Sequence, residues 1–386
     1  MVTGGHKEVL HVISNIRRSP ASGRTRVKVG ALVVAVALGA AACGSPSGST
    51  ESNGALSLTV GLPTPGYYNA ALYWAKGQGI FDKLGLNLTI EKSGSVTTTH
   101  AATGKYVVAN YGTTGMFPAQ AQGRDQSIVI CEGAGNAVSN VSVMGNSKYL
   151  HLEDLAGQPV GVVGTSGQSY GAASAYSTWL TGKGLAPLKI VTFADSGSLI
   201  AALQRNNVSA TVYSSNYDDL VAKGTIREII SSTSDFALSV TGGKDGVCSA
   251  TYFGLASGLK NNKTAVTRFV AGMRIADAQV LQHTPDDIAD VLGKDPAFAP
   301  SVVSREALIG QLKRQQAFMV RNEGFVSEQA WAASLKQFGL WGLNVNGTKL
   351  DLNDSVFSYQ KAVDMSYWND ATKLVEEYRN AGQSNR

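Results

Sequence analysis

From residue 56 onward, short runs with apolar side chains at every second position alternate with stretches whose apolar side chains recur every third or fourth, and the order repeats once. In the first half Leu56 to Leu62 reads as a strand, and Tyr68, Ala71, Leu72 and Ala75 then share one helical face that stops at Gly77 and Gly79. Leu86, Leu88 and Ile90 alternate as a second strand. A short helix near Thr97 to Ala102, a third strand at Val107 to Asn110, a helix from Gly115 to Ala121 and the apolar run Ile128 to Cys131 complete the unit. The second half has strands at Pro159 to Val163, Leu188 to Phe193, Val208 to Tyr213 and Ile226 to Ile230. Between them lie helical stripes at Ala172, Tyr176, Trp179 and Leu180, at Leu199 to Leu203 and at Tyr217 to Ala222.

Strands separated by helices of this length imply parallel or mixed sheets covered on both faces, and two such units in tandem imply two similar lobes. The predicted class is therefore α/β, with a first lobe segment over 56–140, a second lobe over 141–235, and a return crossing with a helical C-terminal part over 236–386. In that last part Ala265, Phe269, Val270, Met273 and Val280 keep a helical period, while Thr284-Pro285-Asp286-Asp287 and Ser327-Glu328 read as helix starts. Ala330, Leu335, Phe338 and Leu340 continue an apolar face, and these helices are expected to cover the first lobe.

The amino-terminal 42 residues do not belong to this pattern. Residues 1–28 carry Lys7, Arg17, Arg18, Arg24, Arg26 and Lys28 against Glu8 alone, and an uncharged stretch of 14 residues follows from Val29 to Ala42. That is the length of a signal-peptide core and short of the roughly 20 residues that span a bilayer. It ends in Ala40-Ala41-Ala42-Cys43-Gly44, which resembles the lipobox of bacterial lipoproteins, with Ala40 where Leu is usual. Residues 1–42 are thus expected to be removed and Cys43 to be lipidated; an ordinary secretory signal is the alternative. Residues 43–55 hold Gly, Ser, Pro and Thr with almost nothing to bury, as a flexible tether would.

Without residues 1–42 the chain has 27 Lys and Arg against 27 Asp and Glu, so the formal charge of +5 belongs to the leader. No basic surface remains to release counterions from nucleic acid, and a nucleic-acid partner is not expected. If Cys43 is lipidated, Cys131 and Cys248 remain as a possible pair that an oxidising compartment would allow to close. His100, His151 and His283 stand apart from one another without metal-ligand spacing, so neither metal nor cofactor is expected.

In open α/β sheets, ligands bind beyond the carboxyl ends of strands, where helix N-termini present free N–H groups. At those places the first lobe offers Thr64, Tyr67, Tyr68 and Asn69, then Gly112, Thr113 and Thr114. The second offers Thr165, Ser166, Gly167, Gln168 and Tyr170, then Asn216 and Tyr217. Gly lets backbone approach a guest, Ser, Thr and Asn supply donors, and Tyr gives a flat wall with a polar tip. Such loops suit a small polar or planar solute. The same residues also favour ordinary turns and helix caps, so it is their recurrence in both halves that points to a site.

The stretch Leu58-Thr59-Val60-Gly61 with Ala71-Leu72-Tyr73-Trp74-Ala75-Lys76-Gly77-Gln78-Gly79-Ile80-Phe81-Asp82-Lys83-Leu84-Gly85-Leu86, and again Asp154-Leu155-Ala156-Gly157-Gln158-Pro159-Val160-Gly161-Val162, resembles the extracytoplasmic solute-binding proteins of the nitrate, sulfonate, taurine and thiamine-precursor group of ABC importers. Val107 and Ser209 stand where that group often has an acid. The resemblance implies a two-lobed binding protein of the periplasmic type, not an enzyme. It implies a monomer, anchored by its lipid to the outer face of the cytoplasmic membrane, that delivers a solute to the membrane subunits of an ABC importer. The solute could be a sulfonate, an oxoanion, a thiamine-precursor-like heterocycle or an aromatic acid. It also implies two interlobe crossings, near Cys131 to Val143 and Ile230 to Phe253, with the Cys131–Cys248 disulfide beside the hinge.

Two enzymatic readings compete. Gly167-Gln168-Ser169-Tyr170-Gly171 matches the nucleophile motif G-x-S-x-G of a secreted serine hydrolase, with His283 downstream and Asp195 or Asp219 between. Against it, Gly164-Thr165-Ser166 separate the strand from the supposed elbow. A thiamine-precursor-synthesis enzyme on a related fold is the other, opposed by the export signal and the lack of a Cys-rich catalytic cluster.

Overall fold

The computed structural model describes residues 56–135, 140–165, 168–213, 218–232, 234–241, 247–301, 304–319, 322–345 and 348–383. The leader, Cys43 and the tether lie outside these residues, as do Ser166, Gly167, Asn216 and Tyr217.

The chain first lays down β1 (Leu56–Leu62), α1 (Ala70–Gly77), α2 (Ile80–Lys83), β2 (Leu86–Lys92), α3 (Thr97–Ala102), β3 (Val108–Gly112), α4 (Phe117–Gln120) and β4 (Gln126–Gly135). It then forms β5 (Val141–Met144), β6 (Pro159–Val163), α5 (Gln168–Gly182), β7 (Lys189–Phe193), α6 (Ser196–Gln204), β8 (Ala210–Val212), α7 (Asp218–Ala222), β9 (Ile226–Ile230) and α8 (Asp235–Thr241). Finally β10 (Val247–Leu255) leads into α9 (Ala256–Asn261), α10 (Lys263–Val280), α11 (Pro285–Leu292), α12 (Arg305–Phe318) and α13 (Glu328–Leu340), and shorter helices close the chain.

Two five-stranded mixed sheets result, ordered β2-β1-β3-β10-β4 and β7-β6-β8-β5-β9. The repeated order of the sequence is visible in them, with one addition. In each sheet an antiparallel strand that belongs to an interlobe crossing is inserted between the third and fourth strands of the repeat: β10 in the first and β5 in the second. The βαβ pattern conceals them because β5 follows β4 with no helix between, and β10 returns after α8 to pair with strands laid down far earlier in the chain.

Burial explains the elements. Leu58, Val60 and Leu62 of β1 point into the core, and Ala70 to Ala75 of α1 are buried because α1 packs against α10 and α11 in that same core. Gly79 and Gly85 adopt φ of 63° and 68°, the left-handed region that lets the chain reverse around the short α2. Ala265, Val266, Phe269, Val270, Met273 and Val280 form the buried stripe of α10. Both predicted helix starts are present: Thr284 and Asp287 exchange side-chain-to-backbone bonds in a capping box on α11, and Ser327 accepts from the Ala330 N–H at the start of α13. The second lobe packs Val141, Val160, Val162, Tyr176, Leu180 and Val212 in a core of its own.

A third cluster lies behind the crossings. Phe117, Trp331, Phe338, Trp341 and Phe357 surround Cys131, Cys248 and Phe253, and Ala175 of α5 reaches into the same group. One turn earlier in α5, Gly171 lies so close to the Trp341 ring that a Cβ there would sit 2.0 Å from it. The C-terminal part therefore touches the second lobe as well as covering the first.

Candidate solute-binding cleft

β4 and β10 run side by side over their whole length, from Gln126 opposite Leu255 to Gly135 opposite Val247, and both then leave for the second lobe. Cys131 and Cys248 are joined across this pair, with Cα atoms 5.8 Å apart. Thr113, just past β3, donates its hydroxyl to the Cys248 carbonyl at 2.6 Å. On the other side, the Asn140 side chain accepts from the Ser232 N–H at 2.6 Å and donates to Glu228, which fixes the start of β5 to the end of β9. The crossings are thus pinned at both ends.

At the carboxyl end of β1 the chain makes a single 3₁₀ turn, Tyr67–Asn69, that runs straight into α1. Tyr68, half-buried, donates its hydroxyl to the Thr64 carbonyl at 2.7 Å, and its ring meets Tyr67 edge-on at 5.6 Å. Burial first, then Tyr213, Tyr67, Glu132 and Tyr111, hold the Tyr68 hydroxyl well above its ordinary pKa. Three of these neighbours belong to the first lobe, but Tyr213 follows β8 of the second. Strand-end residues of both lobes therefore lie within electrostatic reach of one hydroxyl.

Beneath the tyrosines lies a buried polar cluster. Asn69 donates from Nδ2 to Asn110 Oδ1 at 3.0 Å and to Glu132 Oε2 at 3.1 Å, and Asn110 Nδ2 donates to the same carboxylate oxygen at 2.9 Å. Glu132 is 3% exposed. Desolvation raises its pKa to about 8, opposed by the hydrogen-bonding groups of Tyr252, Asn69 and Asn110 and assisted by Asp277. Asp277 on α10 is likewise raised, to about 7, first by desolvation and then by Glu323.

The predicted site residues divide accordingly. Tyr67 and Tyr68 belong to the aromatic cluster, Gly112 is half-buried beside it, and Thr64 is exposed at the turn. Asn69, Thr113 and Thr114 are buried, forming the floor and its attachment to β10. In the second lobe Thr165 is exposed, Gln168 opens α5, and Tyr170 packs on that lobe's own core. Tyr111 opens the predicted strand-end loop of the first lobe, and three contributors escaped the sequence reading: Tyr213, Asn110 and Glu132. A signal for the last was present, because Glu132 is the single charge between Gln126 and Met144.

The hydrolase constellation does not assemble. Ser169, 6% exposed, accepts from the Val163 N–H at 3.1 Å and donates to the Val163 carbonyl at 3.0 Å, stitching α5 to β6. Asp195 caps α6 through the Ser198 N–H, while His283 packs its ring 4.6 Å from Trp74 of the first lobe. A separate pocket of about 490 Å³ is lined by second-lobe residues alone, among them His151, Trp179, Lys183 and Phe236. Its lysine is already matched, paired with Glu153 at 3.1 Å and lying 3.9 Å over the Trp179 ring.

Two mixed sheets flanked by helices and joined by two pinned crossings make this the fold of the two-lobed periplasmic solute-binding proteins. The model of the family described as NMT1/THI5 like matches residues 67–287, and the chain belongs to that family. Among solved structures it is similar to a protein from Bordetella bronchiseptica RB50, at a TM-score of 0.65 and 17% identity, covering 82% of this chain and 97% of that one. It is similar to the periplasmic aliphatic sulphonate binding protein SsuA of Escherichia coli, at a TM-score of 0.56 and 16% identity over 81% and 91% of the two chains. It is also similar to the periplasmic nitrate-binding protein NrtA of Synechocystis PCC 6803, at 0.59 and 13% over 83% and 89%. No curated protein matches the chain.

Proposed function

We propose that this protein is an exported solute-binding protein of an ABC importer, tethered to the outer face of the cytoplasmic membrane through a lipidated Cys43, that closes its lobes on a small polar or planar solute. The observation that carries this reading is that Tyr68 feels Tyr67 and Tyr111 of the first lobe together with Tyr213 of the second. Flat side chains from two bodies joined by narrow crossings form a clamp, and closure about such crossings buries the guest and creates the shape a transporter reads. The family, and the likeness of the fold to sulphonate- and nitrate-binding proteins, support the same reading. The sequence Ala40-Ala41-Ala42-Cys43 supports the anchor.

A thermal-shift screen of the mature protein against a solute panel tests it, because a ligand that binds only the folded state adds about 2.7 kcal/mol of stability at a hundredfold excess over its Kd. The Tyr68→Ala variant should keep its fold and lose the shift. A solute that stabilises both proteins equally binds somewhere else. For the anchor, Cys43→Ser should release the protein from the membrane fraction; retention would remove that part of the reading.

A further inference from the structure

On the reading that the cleft takes a solute, we propose that the solute is one that presents a positively charged nitrogen group, an amine or amidine on a flat or apolar frame, to Glu132 and Asn69.

The hydrogen-bond inventory of the cluster leads there. Both N–H bonds of Asn69 point at Asn110 and Glu132, and Asn110 spends its own on Glu132 and on the Thr251 carbonyl at 3.3 Å. These donors fix which way each amide faces: Asn69 turned over would set its oxygen against two acceptors. What is left over is acceptors. Glu132 Oε1 and Asn69 Oδ1 are both buried and have no hydrogen-bond partner among the described residues. The Tyr252 hydroxyl stands beside both: with Glu132 protonated, the carboxyl's own O–H and that of Tyr252 serve the two, but with Glu132 ionised Tyr252 supplies one O–H for two acceptors. A buried acceptor without a donor costs about 1–3 kcal/mol, more when it is ionised. For the ionised carboxylate a guest that brings N–H groups removes that cost and takes the place of the proton, whereas a guest that brings further acceptors adds to it.

Charge agrees. The loops 63–69, 111–115, 164–170 and 214–217 contain neither Lys nor Arg. The groups acting most strongly on Glu132 are Tyr252, Asn69, Asn110 and Asp277, two amides, a phenol and a second acid, with no cation to match it. Tyr68 feels Tyr213, Tyr67, Glu132 and Tyr111, so tyrosines, whose rings attract cations as well as planar frames, are grouped near the carboxylate. A sulfonate or nitrate would meet a carboxyl group, surplus acceptors and tyrosines.

The solute-free Glu132 is held largely protonated at neutral pH by its burial, in a shell made by Tyr68 and Asn69 of the turn, Tyr73 of α1, Asn110 of β3, Tyr252 of β10 and Asp277 of α10. A cation restores its charge, so binding at pH 7 should release about one proton per solute.

Calorimetry on the mature protein with benzamidine, phenethylamine and 4-aminopyridine as cationic probes, and benzenesulfonate, benzoate and nitrate as anionic ones, tests this. The expected result is binding of at least one cation and of no anion, with a proton release near one when the heats are compared in buffers of different ionisation enthalpy. Glu132→Gln should weaken the cation at least about tenfold, as loss of a charge-assisted hydrogen bond does. The proton count is read on the unmutated protein and stands even if that variant fails to fold. Binding of an anionic probe that Tyr68→Ala abolishes overturns the cation assignment and leaves the solute-binding reading intact. Cation binding without proton release, or with full affinity in a folded Glu132→Gln, overturns the role of Glu132. If no probe of either sign binds, the cation assignment falls, and the solute-binding reading falls with it only when the solute panel also gives no shift that Tyr68→Ala removes.

Discussion

Tyr111 and Tyr213 hold the same position in the two sheets. Gly61 of β1 pairs with Ala109 of β3, and Gly161 of β6 pairs with Thr211 of β8. Two residues further along each third strand stand Tyr111 and Tyr213. The repeat therefore carries its aromatic residue to the matching strand end on both sides, and both tyrosines act on Tyr68. Tyr111→Ala and Tyr213→Ala should each weaken solute binding about tenfold, the weight of an aromatic contact of roughly 1.4 kcal/mol, with little effect on the melting temperature. Titration calorimetry with the solute found by screening measures this; unchanged affinity in both variants would place the guest elsewhere.

The Cys131–Cys248 bond closes a loop of 117 residues that includes the whole second sheet. In the chain-entropy account a loop of that size stabilises by about 4–5 kcal/mol. Cys131→Ser with Cys248→Ser, or reduction of the native protein, should lower the midpoint of urea unfolding accordingly. A shift under about 1 kcal/mol would mean that pairing of β4 with β10 already constrains the unfolded chain.

Glu132 and Asp277 make the solute-free protein sensitive to base. Their folded values, about 8 and about 7, lie above the ordinary 4.5 and 3.8. A raised carboxyl contributes stability that is complete below the unfolded value and lost as pH climbs through the folded one. Stability should therefore decline between about pH 4 and pH 8, by on the order of 4 kcal/mol for Glu132. Melting temperatures across that range check it, and Glu132→Gln should flatten the slope.

Gly171 sits inside α5, where exchange of glycine for alanine normally gains up to about 1 kcal/mol of helix stability. Here the new methyl would meet the Trp341 ring, buried among Phe338 and its neighbours, and overpacking of that kind costs about 1–3 kcal/mol. The clash is the larger effect, so Gly171→Ala should lower the melting temperature, and Trp341→Leu should recover part of the loss in the double variant.

Fold class was legible because eight of the ten strands discussed carry strong apolar runs placed between recognisable helices. β5 and β10 were not. Val-Ser-Val-Met is too short to stand out from a loop, and Val247 to Leu255 joins its sheet through partners more than a hundred residues away. The site was legible as loops and illegible as chemistry. Tyr67 and Tyr68 announce themselves by type and place, but nothing local in Asn69 or Asn110 says that both will turn inward on Glu132. That depends on β10 lying between β3 and β4, which is a fact of topology.

The placement of β10 also sets an order of assembly. All five strands of the second sheet come from one continuous stretch, 141–230, whereas the first sheet lacks its fourth member until residues 247–255 have been made. The lobe that begins the chain must be the later to complete. In refolding followed by pulsed hydrogen exchange, amides of β6 and β8 should gain protection before those of β3 and β4, so that the older half of the polypeptide waits, open, for a strand threaded back from the younger.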